Sequence, residues 1–402
     1  MSKHKESAMP QQTAGVSAMR ILIALSILHL ANDALQSAIS ASYPVLKSEM
    51  QLTFRQIGLI TLAYQISASV FQPVVGIFFD RRPWSRALPM GMLFTLVGLA
   101  SLAFARTPLW AMASVFITGI GSSTLHPEAS RLTSLASGGR RGFAQSLFQV
   151  GGNLGGAIGP LLVAIIVAPY GQRNIVWLTA LALMALMVAQ PVSRWYRKQL
   201  TANRQVANVR VTRQMPLSPL KTVVTITILL VLIFSKYVYM SCLSSYYTFY
   251  LLEKFGVSVA QSQIFLFVFL LATAIGTMLG GPVGDRIGRK YVIWISIVGA
   301  APFALLMPHT DLLWTVIMSF CSGLMLSSAF PAILLYAQEL LPYKLGMVSG
   351  LFFGLAFGIA GISSAVLGKI ADVHGIETIY RFCAYAPLLG MVAWLLPDLK
   401  RK

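Results

Sequence analysis

The sequence predicts an all-α membrane protein with twelve transmembrane helices, arranged as two pseudo-symmetric halves of six helices each. Composition is the first reason, because 56% of the 402 residues are hydrophobic and only 11% are charged, against roughly 25% charged residues in soluble domains. The second reason is that apolar runs of ~20 residues, the length of a membrane-spanning helix, recur along the chain. The third is an internal repeat, which constrains the architecture before any single motif is weighed.

The internal repeat is marked by two related loop motifs. Gly281-Pro-Val-Gly-Asp285-Arg-Ile-Gly-Arg-Lys290 separates two long apolar runs, and Gly76-Ile-Phe-Phe-Asp80-Arg-Arg-Pro-Trp-Ser-Arg86 is a weaker copy earlier in the chain. The two aspartates lie 205 positions apart, and other landmarks repeat 204 positions apart: Gly119 with Gly323, Pro127 with Pro331, and Gly142 with Gly346. Two membrane bundles built on one plan are typical of secondary transporters.

Twelve apolar runs predict the helices in order, six in each half. In the first half they begin near Ile21, Phe54, Ala87, Leu109, Phe143 and Ile175, and in the second near Thr222, Ser262, Tyr291, Leu312, Leu345 and Ile379. A polar, basic segment without apolar periodicity divides the halves and is predicted to be a cytoplasmic linker. The predicted domains are a tail 1–19, a bundle 20–192, the linker 193–219, a bundle 220–397 and a tail 398–402.

The formal net charge of +19 would suggest nucleic-acid binding in a soluble protein, so the position of the charge decides its meaning. Most Lys and Arg residues fall in alternate loops, in the linker and in the tails. The positive-inside rule then predicts that both termini lie in the cytoplasm. Nucleic acid is therefore not an expected partner.

The three cysteines give no sign of a disulfide, a metal site or a cofactor. Cys242, Cys321 and Cys383 all fall within predicted spans, are odd in number and lack the spacing of ligand motifs. The sequence also shows no nucleophile with a base at usable spacing. We therefore do not expect an enzyme.

The first helix carries a polar stripe of His29, Asn32, Asp33 and Gln36, at spacings of three and four residues. Asp33 is the only carboxylate placed well inside a span, where an acid costs roughly 2.5–3.5 kcal/mol to insert. Because such residues are usually functional, we interpret Asp33 as a proton carrier and His29 as its relay partner. The alternatives are an acid neutralised by a fixed partner, either Lys236 or His29, and a histidine that only packs.

The fourth helix stacks Ser122 and His126 one turn apart. Together with Asn32 and Gln36 they are candidate substrate contacts, because polar side chains inside a span face protein or water rather than lipid. For His126 the alternative is a structural histidine beside the kink expected at Pro127.

Lys236 places a positive charge near the middle of the seventh helix, beside Tyr237 and Tyr239. The repeat offset of 204 residues maps Asp33 onto Tyr237, which predicts a similar depth for the lysine and the aspartate. A fixed ammonium group among tyrosine hydroxyls suits an anionic substrate. The alternative is a structural salt bridge.

The loop motifs are predicted to act as conformational latches between the halves. Their aspartates, Asp80 and Asp285, can cap opposing helix N-termini, which carry partial positive charge. Glu128 and Arg131, three positions apart, could instead form a surface ion pair worth a few tenths of a kcal/mol. The candidate latch residues are Asp80, Arg81, Arg86, Glu128, Arg131, Gly281, Asp285, Arg286, Gly288 and Arg289.

Twelve helices in two halves, with the motif from Gly281 to Lys290 between the eighth and ninth, resemble the major facilitator superfamily over nearly the whole chain. Finer segments are similar to the fosmidomycin-resistance branch of drug efflux proteins. These segments are His29-Leu-Ala-Asn-Asp33, Gly121-Ser-Ser-Thr-Leu-His126-Pro-Glu128, Ala144-Gln-Ser-Leu-Phe-Gln-Val-Gly-Gly-Asn153, Phe234-Ser-Lys-Tyr237 and Ser244-Ser-Tyr-Tyr-Thr-Phe-Tyr250. The resemblance also makes Glu128 and Arg131 partners of the arginines in the loop motifs.

Two positions depart from the family pattern. Pro83-Trp84 stands where the first loop motif is expected to have a glycine, so that copy is expected to hold its partner helix less strictly. In the fifth helix, Gly155-x-x-x-Gly159-Pro160 resembles an antiporter signature, but Leu162-Val-Ala164 replaces the Gly-Gly expected after it.

The resemblance implies proton-driven export of fosmidomycin, a small phosphonate antibiotic, by alternating access around a midplane site. An uptake symporter for an organic anion is the alternative with the same fold, because residues do not reveal the direction of transport. A non-transporting sensor is disfavoured by charged residues inside the spans of both halves. The expected partners are a small-molecule substrate, protons and membrane lipid, and we expect a monomer.

Overall fold

The computed structural model describes residues 16–52, 54–206, 217–257 and 259–399, and every regular element in these ranges is helical. The first half contains α1 (Val16–Ala41), α2 (Tyr43–Glu49), α3 (Phe54–Gln65), α4 (Phe71–Arg81), α5 (Ala87–Ala103), α6 (Pro108–Ala136), α7 (Arg141–Leu162) and α8 (Ile175–Val206). The second half contains α9 (Pro219–Phe255), α10 (Val259–Ile287), α11 (Arg289–Leu306), α12 (Leu312–Leu340), α13 (Leu345–His374) and α14 (Ile376–Cys383). Short π-helical turns, Ile66–Val70 and Val163–Val167, join α3 to α4 and extend α7, and a 3₁₀ segment, Ala386–Leu395, follows α14.

Ten helical stretches of the described residues are long and apolar enough to cross a membrane, against the twelve that the sequence predicts. α5 is apolar but has 17 residues, which at 1.5 Å per residue span about 26 Å of a ~30 Å hydrocarbon core. α7 is not among the ten, and it carries Gln145, Gln149 and Asn153 on one face. The chain is therefore a multi-pass membrane protein. Length and hydropathy alone do not identify α5 and α7 as spans.

The predicted linker 193–219 is partly helical. α8 continues without a break to Val206, and α9 begins at Pro219, where proline is favoured because the first helical residues need no backbone hydrogen bond. Residues 207–216 lie outside the described part of the chain, as do residues 1–15 and 400–402 of the predicted tails.

α1 and α7 run parallel and pack closely. Gly151, Gly155 and Gly159 each face the α1 backbone so tightly that an added Cβ would overlap a carbonyl oxygen. The hydroxyl of Ser26 in α1 donates a hydrogen bond to the carbonyl oxygen of Leu147 at 2.7 Å. Small residues at four-residue spacing allow this close approach, and the contact holds the polar stripe of α1 at a defined height beside α7.

The halves meet tightly at the end of the bundle that carries the two loop motifs, here called the motif end. There α4 packs against α13, and α10 packs against α7. An added Cβ on Gly76 would overlap the carbonyl oxygen of Gly346, and Gly281 approaches Gly142 equally closely. The glycines that repeat along the sequence therefore form two equivalent contacts between the halves.

A buried hydrogen-bond cluster also joins the halves at the motif end, and we call Gln338, Ser134, Ser130 and Ser349 the axial clasp. Gln338 Oε1 accepts from Ser134 at 2.6 Å, while its Nε2 donates to Ser349 at 2.9 Å and to Ser130 at 3.3 Å. Ser134 and Gln338 lie 204 positions apart, so they are equivalent positions of the repeat. A contact between equivalent positions lies on the pseudo-twofold axis, as in an isologous interface.

Candidate functional site

A cavity of about 560 Å³ lies between the halves, away from the motif end. Its walls come from α1, α3, α7, α9, α10 and α13, so residues of both halves face it. Asp33, Gln36, Gln65 and Asn153 supply charged and amide groups to a lining that also contains serine, threonine and tyrosine hydroxyls among its apolar side chains. The volume is within the range of small-molecule sites, and we call this space the main cavity.

Asp33 lies on the wall of the main cavity between two buried histidines. His126 Nε2 lies 3.1 Å from Asp33 Oδ1, and His29 Nε2 lies 3.2 Å from Asp33 Oδ2. Only the contact between His126 and Asp33 has the geometry of a hydrogen bond. His29 Nε2 is buried and has no hydrogen-bond partner. Asn32 Nδ2 also donates to Asp33 Oδ1 at 3.0 Å. The carboxylate is therefore held by groups from α1 and α6, and not by Lys236.

The positions of the protons on His29 and His126 can be assigned from the groups that their Nδ1 atoms contact. His126 Nδ1 lies 3.0 Å from the backbone oxygen of Ser122, and His29 Nδ1 lies 2.7 Å from that of Phe148. A carbonyl oxygen only accepts, so each Nδ1 is assigned a hydrogen and each Nε2 of a neutral ring carries a lone pair. The hydrogen bond between His126 Nε2 and Asp33 therefore needs one further proton, on the ring or on the carboxyl group. Loss of that proton would leave two lone pairs in contact.

His29, Asp33 and His126 also bring three potential metal-ligand atoms within 4.8 Å of one another. The two nitrogen–oxygen distances, 3.1 and 3.2 Å, are within the range of a hydrogen bond or an ion pair. A shared proton satisfies such a pair with no further ligand. The three residues are thus arranged as a hydrogen-bonded pair, Asp33 with His126, and a second histidine, His29, in contact with the other carboxylate oxygen.

Lys236 lies on the wall of a second cavity of about 110 Å³. Asn153, Met240 and Thr273 line both cavities, so the two adjoin. The lysine Nζ lies 4.9 Å from the ring centre of Tyr237 and 5.2 Å from that of Phe330. It is 5% exposed, and no carboxylate of the described residues lies within ion-pair distance of it. Aromatic faces stabilise an ammonium group in part, but the part of the chain that the structure describes supplies no counter-ion for this lysine.

The predicted substrate contacts fall into four places. Lys236 and Tyr237 line the small cavity, and Gln36 lines the main cavity. A buried layer behind Asp33 is formed by Asn32, Ser122 and His126. In this layer the Asn32 amide donates to the Ser122 hydroxyl, and that hydroxyl donates to the side-chain Oε1 of Gln36. Tyr239 lies apart from both cavities, fully buried in the apolar core that contains Cys242 and Cys383.

Several residues that face the cavities were not among the sequence-based candidates. Gln149 and Asn153 of α7, and Thr273 and Thr277 of α10, line the small cavity. Both pairs are spaced by four residues, so each forms a polar stripe on an apolar helix. That pattern is the same signal that singled out the stripe of α1 and is visible in the sequence.

The two motif aspartates each bind the first turn of a helix in the opposite half. Asp80 accepts from the backbone N–H groups of Gly346 and Met347 at 2.9 and 2.8 Å. Asp285 accepts from those of Gly142 and Phe143, both at 3.1 Å. Each carboxylate therefore faces the partial positive charge at the start of α13 or α7.

The charged partners of the motifs differ between the halves. Arg289 pairs with Asp285 at 2.7 Å and with Glu339 at 3.4 Å. Glu128 and Arg131 form a buried bidentate pair with distances of 2.9 and 2.7 Å, rather than a surface pair. The candidate latch residues with exposed side chains are Arg81, Arg86 and Arg286.

The backbone conformation of Gly288 explains why the motif has a glycine at this position. Its φ of 99° lies in the region open to glycine, and this single residue joins α10 to α11. The equivalent position in the first half is Pro83, whose ring holds φ near −65°. The first loop accordingly needs residues 82–86 to connect α4 with α5.

The sequence matches the family model of the Major Facilitator Superfamily over residues 25–251 and 229–402. It is 52% identical to the fosmidomycin resistance protein of Escherichia coli (strain K12), covering 98% of this chain and 99% of that protein. It is 40% identical to an uncharacterized MFS-type transporter, YfnC, of Bacillus subtilis (strain 168), covering 96% and 95%. The solved structure of the transporter FucP in the outward conformation matches with a TM-score of 0.74 at 16% identity, covering 95% of this chain and 100% of that chain. The chain therefore belongs to the major facilitator superfamily, whose members transport small molecules and are not enzymes.

Proposed function

We propose that this protein exports a small anionic antibiotic of the fosmidomycin type in exchange for protons. The observation that carries the proposal is the pair of adjoining cavities between the halves. Lys236, with no carboxylate of the described residues at ion-pair distance, lines one cavity, and Asp33, in contact with His29 and His126, lines the other. The 52% identity to a protein named for fosmidomycin resistance supports a phosphonate as the anion.

Lys236 is the proposed anchor for the anion. A charge near the middle of the membrane is costly unless it is paired, and no described carboxylate pairs with this one. Phosphonate oxygens can accept hydrogen bonds from the ammonium group and from the Tyr237 hydroxyl. Gln36 is then placed to contact the remainder of the substrate in the main cavity.

Asp33 is the proposed proton carrier, with His29 and His126 as its partners. Once the drug has left Lys236, a proton entering through the main cavity completes the hydrogen bond between Asp33 and His126. Its later release on the other side leaves two lone pairs in contact, which favours a rearrangement of α1 against α6. Proton binding and drug binding therefore favour different conformations, as coupled exchange requires.

The proposed orientation has the motif end and both termini in the cytoplasm, with the protein in the inner membrane of a bacterium. The basic residues of the loop motifs and of the linker support it through the positive-inside rule. In this orientation the main cavity opens outward and the latch residues close the inner side. We further propose a monomer whose two bundles, 20–192 and 220–397, rock about the cavities.

Transport of labelled fosmidomycin into everted membrane vesicles tests the proposal. The vesicle interior corresponds to the cell exterior, so we expect accumulation when the interior is made acid, and none when the gradient is reversed. Accumulation instead in right-side-out vesicles with an acid exterior would identify an uptake symporter. Transport that ignores the pH gradient in both preparations would exclude proton coupling.

A further inference from the structure

The small cavity has the dimensions of a headgroup site rather than of a whole-substrate site. Its volume of about 110 Å³ equals the space of three or four water molecules at ~30 Å³ each. It is enclosed by α7 of the first half and by α9, α10 and α12 of the second. The main cavity, about five times larger, adjoins it and can hold the rest of a substrate.

Hydrogen-bond donors dominate the polar lining of this small cavity. The Thr277 hydroxyl donates to the Thr273 carbonyl at 2.8 Å, so its oxygen must accept from Asn153, whose Nδ2 lies 3.1 Å away. This orients the Asn153 amide and leaves a second N–H for a ligand. Lys236 contributes up to three further N–H donors, and no carboxylate is among the lining residues.

Gln149 adds an unpaired polar group to the same wall. It is 9% exposed, and its Oε1 is buried without a hydrogen-bond partner. The oxygen and nitrogen of an amide exchange places by a simple turn of the group. With an anion in the cavity, the turned amide can donate from the position where the oxygen now lacks a partner.

We propose, building on the proposed function, that the small cavity is a specificity site for a compact tetrahedral oxyanion, and that Gln149, Asn153 and Lys236 select it. Three terminal oxygens of a phosphonate or sulfonate can meet the three donor side chains. A planar carboxylate has two oxygens and leaves one donor unmatched, which weakens binding on the order of tenfold or more. A phosphonate ester lacks one charged oxygen, and its alkoxy group competes for the limited volume.

Binding of simple probes to the purified full-length protein tests this proposal. By calorimetry we expect propylphosphonate and propanesulfonate to bind, and butyrate and the monomethyl ester of propylphosphonate to bind at least tenfold more weakly. Gln149→Glu retains the side-chain shape but adds a negative charge at the site, so it should abolish phosphonate binding. Gln190→Glu, the same change at an exposed position outside both cavities, should leave binding unaltered.

Gln149→Leu provides a second variant that introduces no charge. We expect it to reduce the preference for propylphosphonate over butyrate on the order of tenfold, because one matched donor is lost. Equal affinities for phosphonate, carboxylate and ester, or a preference unchanged in both Gln149 variants, would overturn the specificity site even if fosmidomycin is exported. Conversely, Gln149-dependent phosphonate binding without fosmidomycin export would overturn the proposed function alone.

Discussion

At the scale of single residues, the charge of Lys236 is the feature with the largest expected effect on drug binding. Lys236→Gln retains much of the side-chain length and removes the cation, so the anion loses its counter-charge. We expect loss of fosmidomycin resistance in a susceptible host and a fall in drug affinity of about a hundredfold, since hydrogen bonds to charged groups contribute roughly 1.5–3 kcal/mol. Drug susceptibility and binding are measured at matched membrane expression.

Lys236→Arg is the matched control for this change. It preserves the positive charge but places a larger, planar group in a cavity of about 110 Å³. We expect partial resistance, between that of the parent and that of Lys236→Gln. Full resistance with Lys236→Gln would show that the lysine is not the anchor.

The carboxyl group of Asp33 is expected to couple transport to protons. Asp33→Asn presents a permanent N–H donor to His126 Nε2 and so imitates the protonated carboxyl group, but it cannot release a proton. We expect drug binding to be retained while pH-driven efflux is lost, because the side chain at position 33 no longer titrates. Labelled-drug binding and vesicle transport measure the two effects separately. A variant that pumps against a gradient as well as the parent does would assign the carboxylate a structural role.

The sequence predicts which residues matter more reliably than it predicts their partners. Asp33 and Lys236 stand out because an isolated charge inside a membrane is costly. Their mutual pairing was one alternative, yet Asp33 is held by His29 and His126. Successive helical residues differ by ~100° in direction, so the two-residue step from Tyr237 to Tyr239 turns the second tyrosine away from the cavity. Which face a helix presents is decided by packing between helices distant in sequence.

At the scale of helices, each motif aspartate acts as the cap of a helix in the other half. Asp285 accepts two backbone hydrogen bonds from the start of α7 and pairs with Arg289. Asp285→Asn removes the charge and turns one acceptor oxygen into a donor that faces an N–H group. The interaction between residue 285 and the start of α7 should weaken by about 1–2 kcal/mol. We expect transport to slow on the order of tenfold or more with drug binding retained, as measured by vesicle transport and equilibrium binding.

Arg286→Gln in the same motif is a suitable comparison for Asp285→Asn. Its side chain is exposed, so this change also removes one motif charge but no cap contact. We expect a much smaller effect on the transport rate. An unchanged transport rate in Asp285→Asn would contradict the proposal that Asp285 is a conformational latch.

The helices were predictable from apolar runs and from the repeat, whereas the helix that packs against α7 was not. α7 was identified by its glycine spacing, but the sequence could not show that α1 is the helix those glycines approach. The opposite side of α7 lines the small cavity through Gln149 and Asn153. One helix thus packs against α1 on one side and lines the small cavity on the other.

At the scale of the whole molecule, contacts between the halves are concentrated at the motif end. Two glycine contacts, two aspartate caps and the axial clasp all lie there, and the main cavity lies between the halves on the other side. Alternating access requires these contacts to break together. On opening, the glycine contacts are lost without replacement, whereas water can take the place of the hydrogen-bond partners in the caps and in the clasp.

The axial clasp is therefore expected to set the balance between the two conformations. Gln338→Leu leaves the Ser130 and Ser134 hydroxyls without this partner while the motif end is closed, whereas water satisfies them once it opens. The closed form should lose about 1–3 kcal/mol, which is on the order of tenfold to a hundredfold in population. Spin labels at the exposed positions Arg82 and Lys344, on opposite halves of the motif end, should report a larger fraction of long distances. Gln190→Leu, on the exposed face of α8, should leave that distribution unaltered, and an equally unaltered distribution in Gln338→Leu would show that the glycine contacts and caps alone hold this end closed.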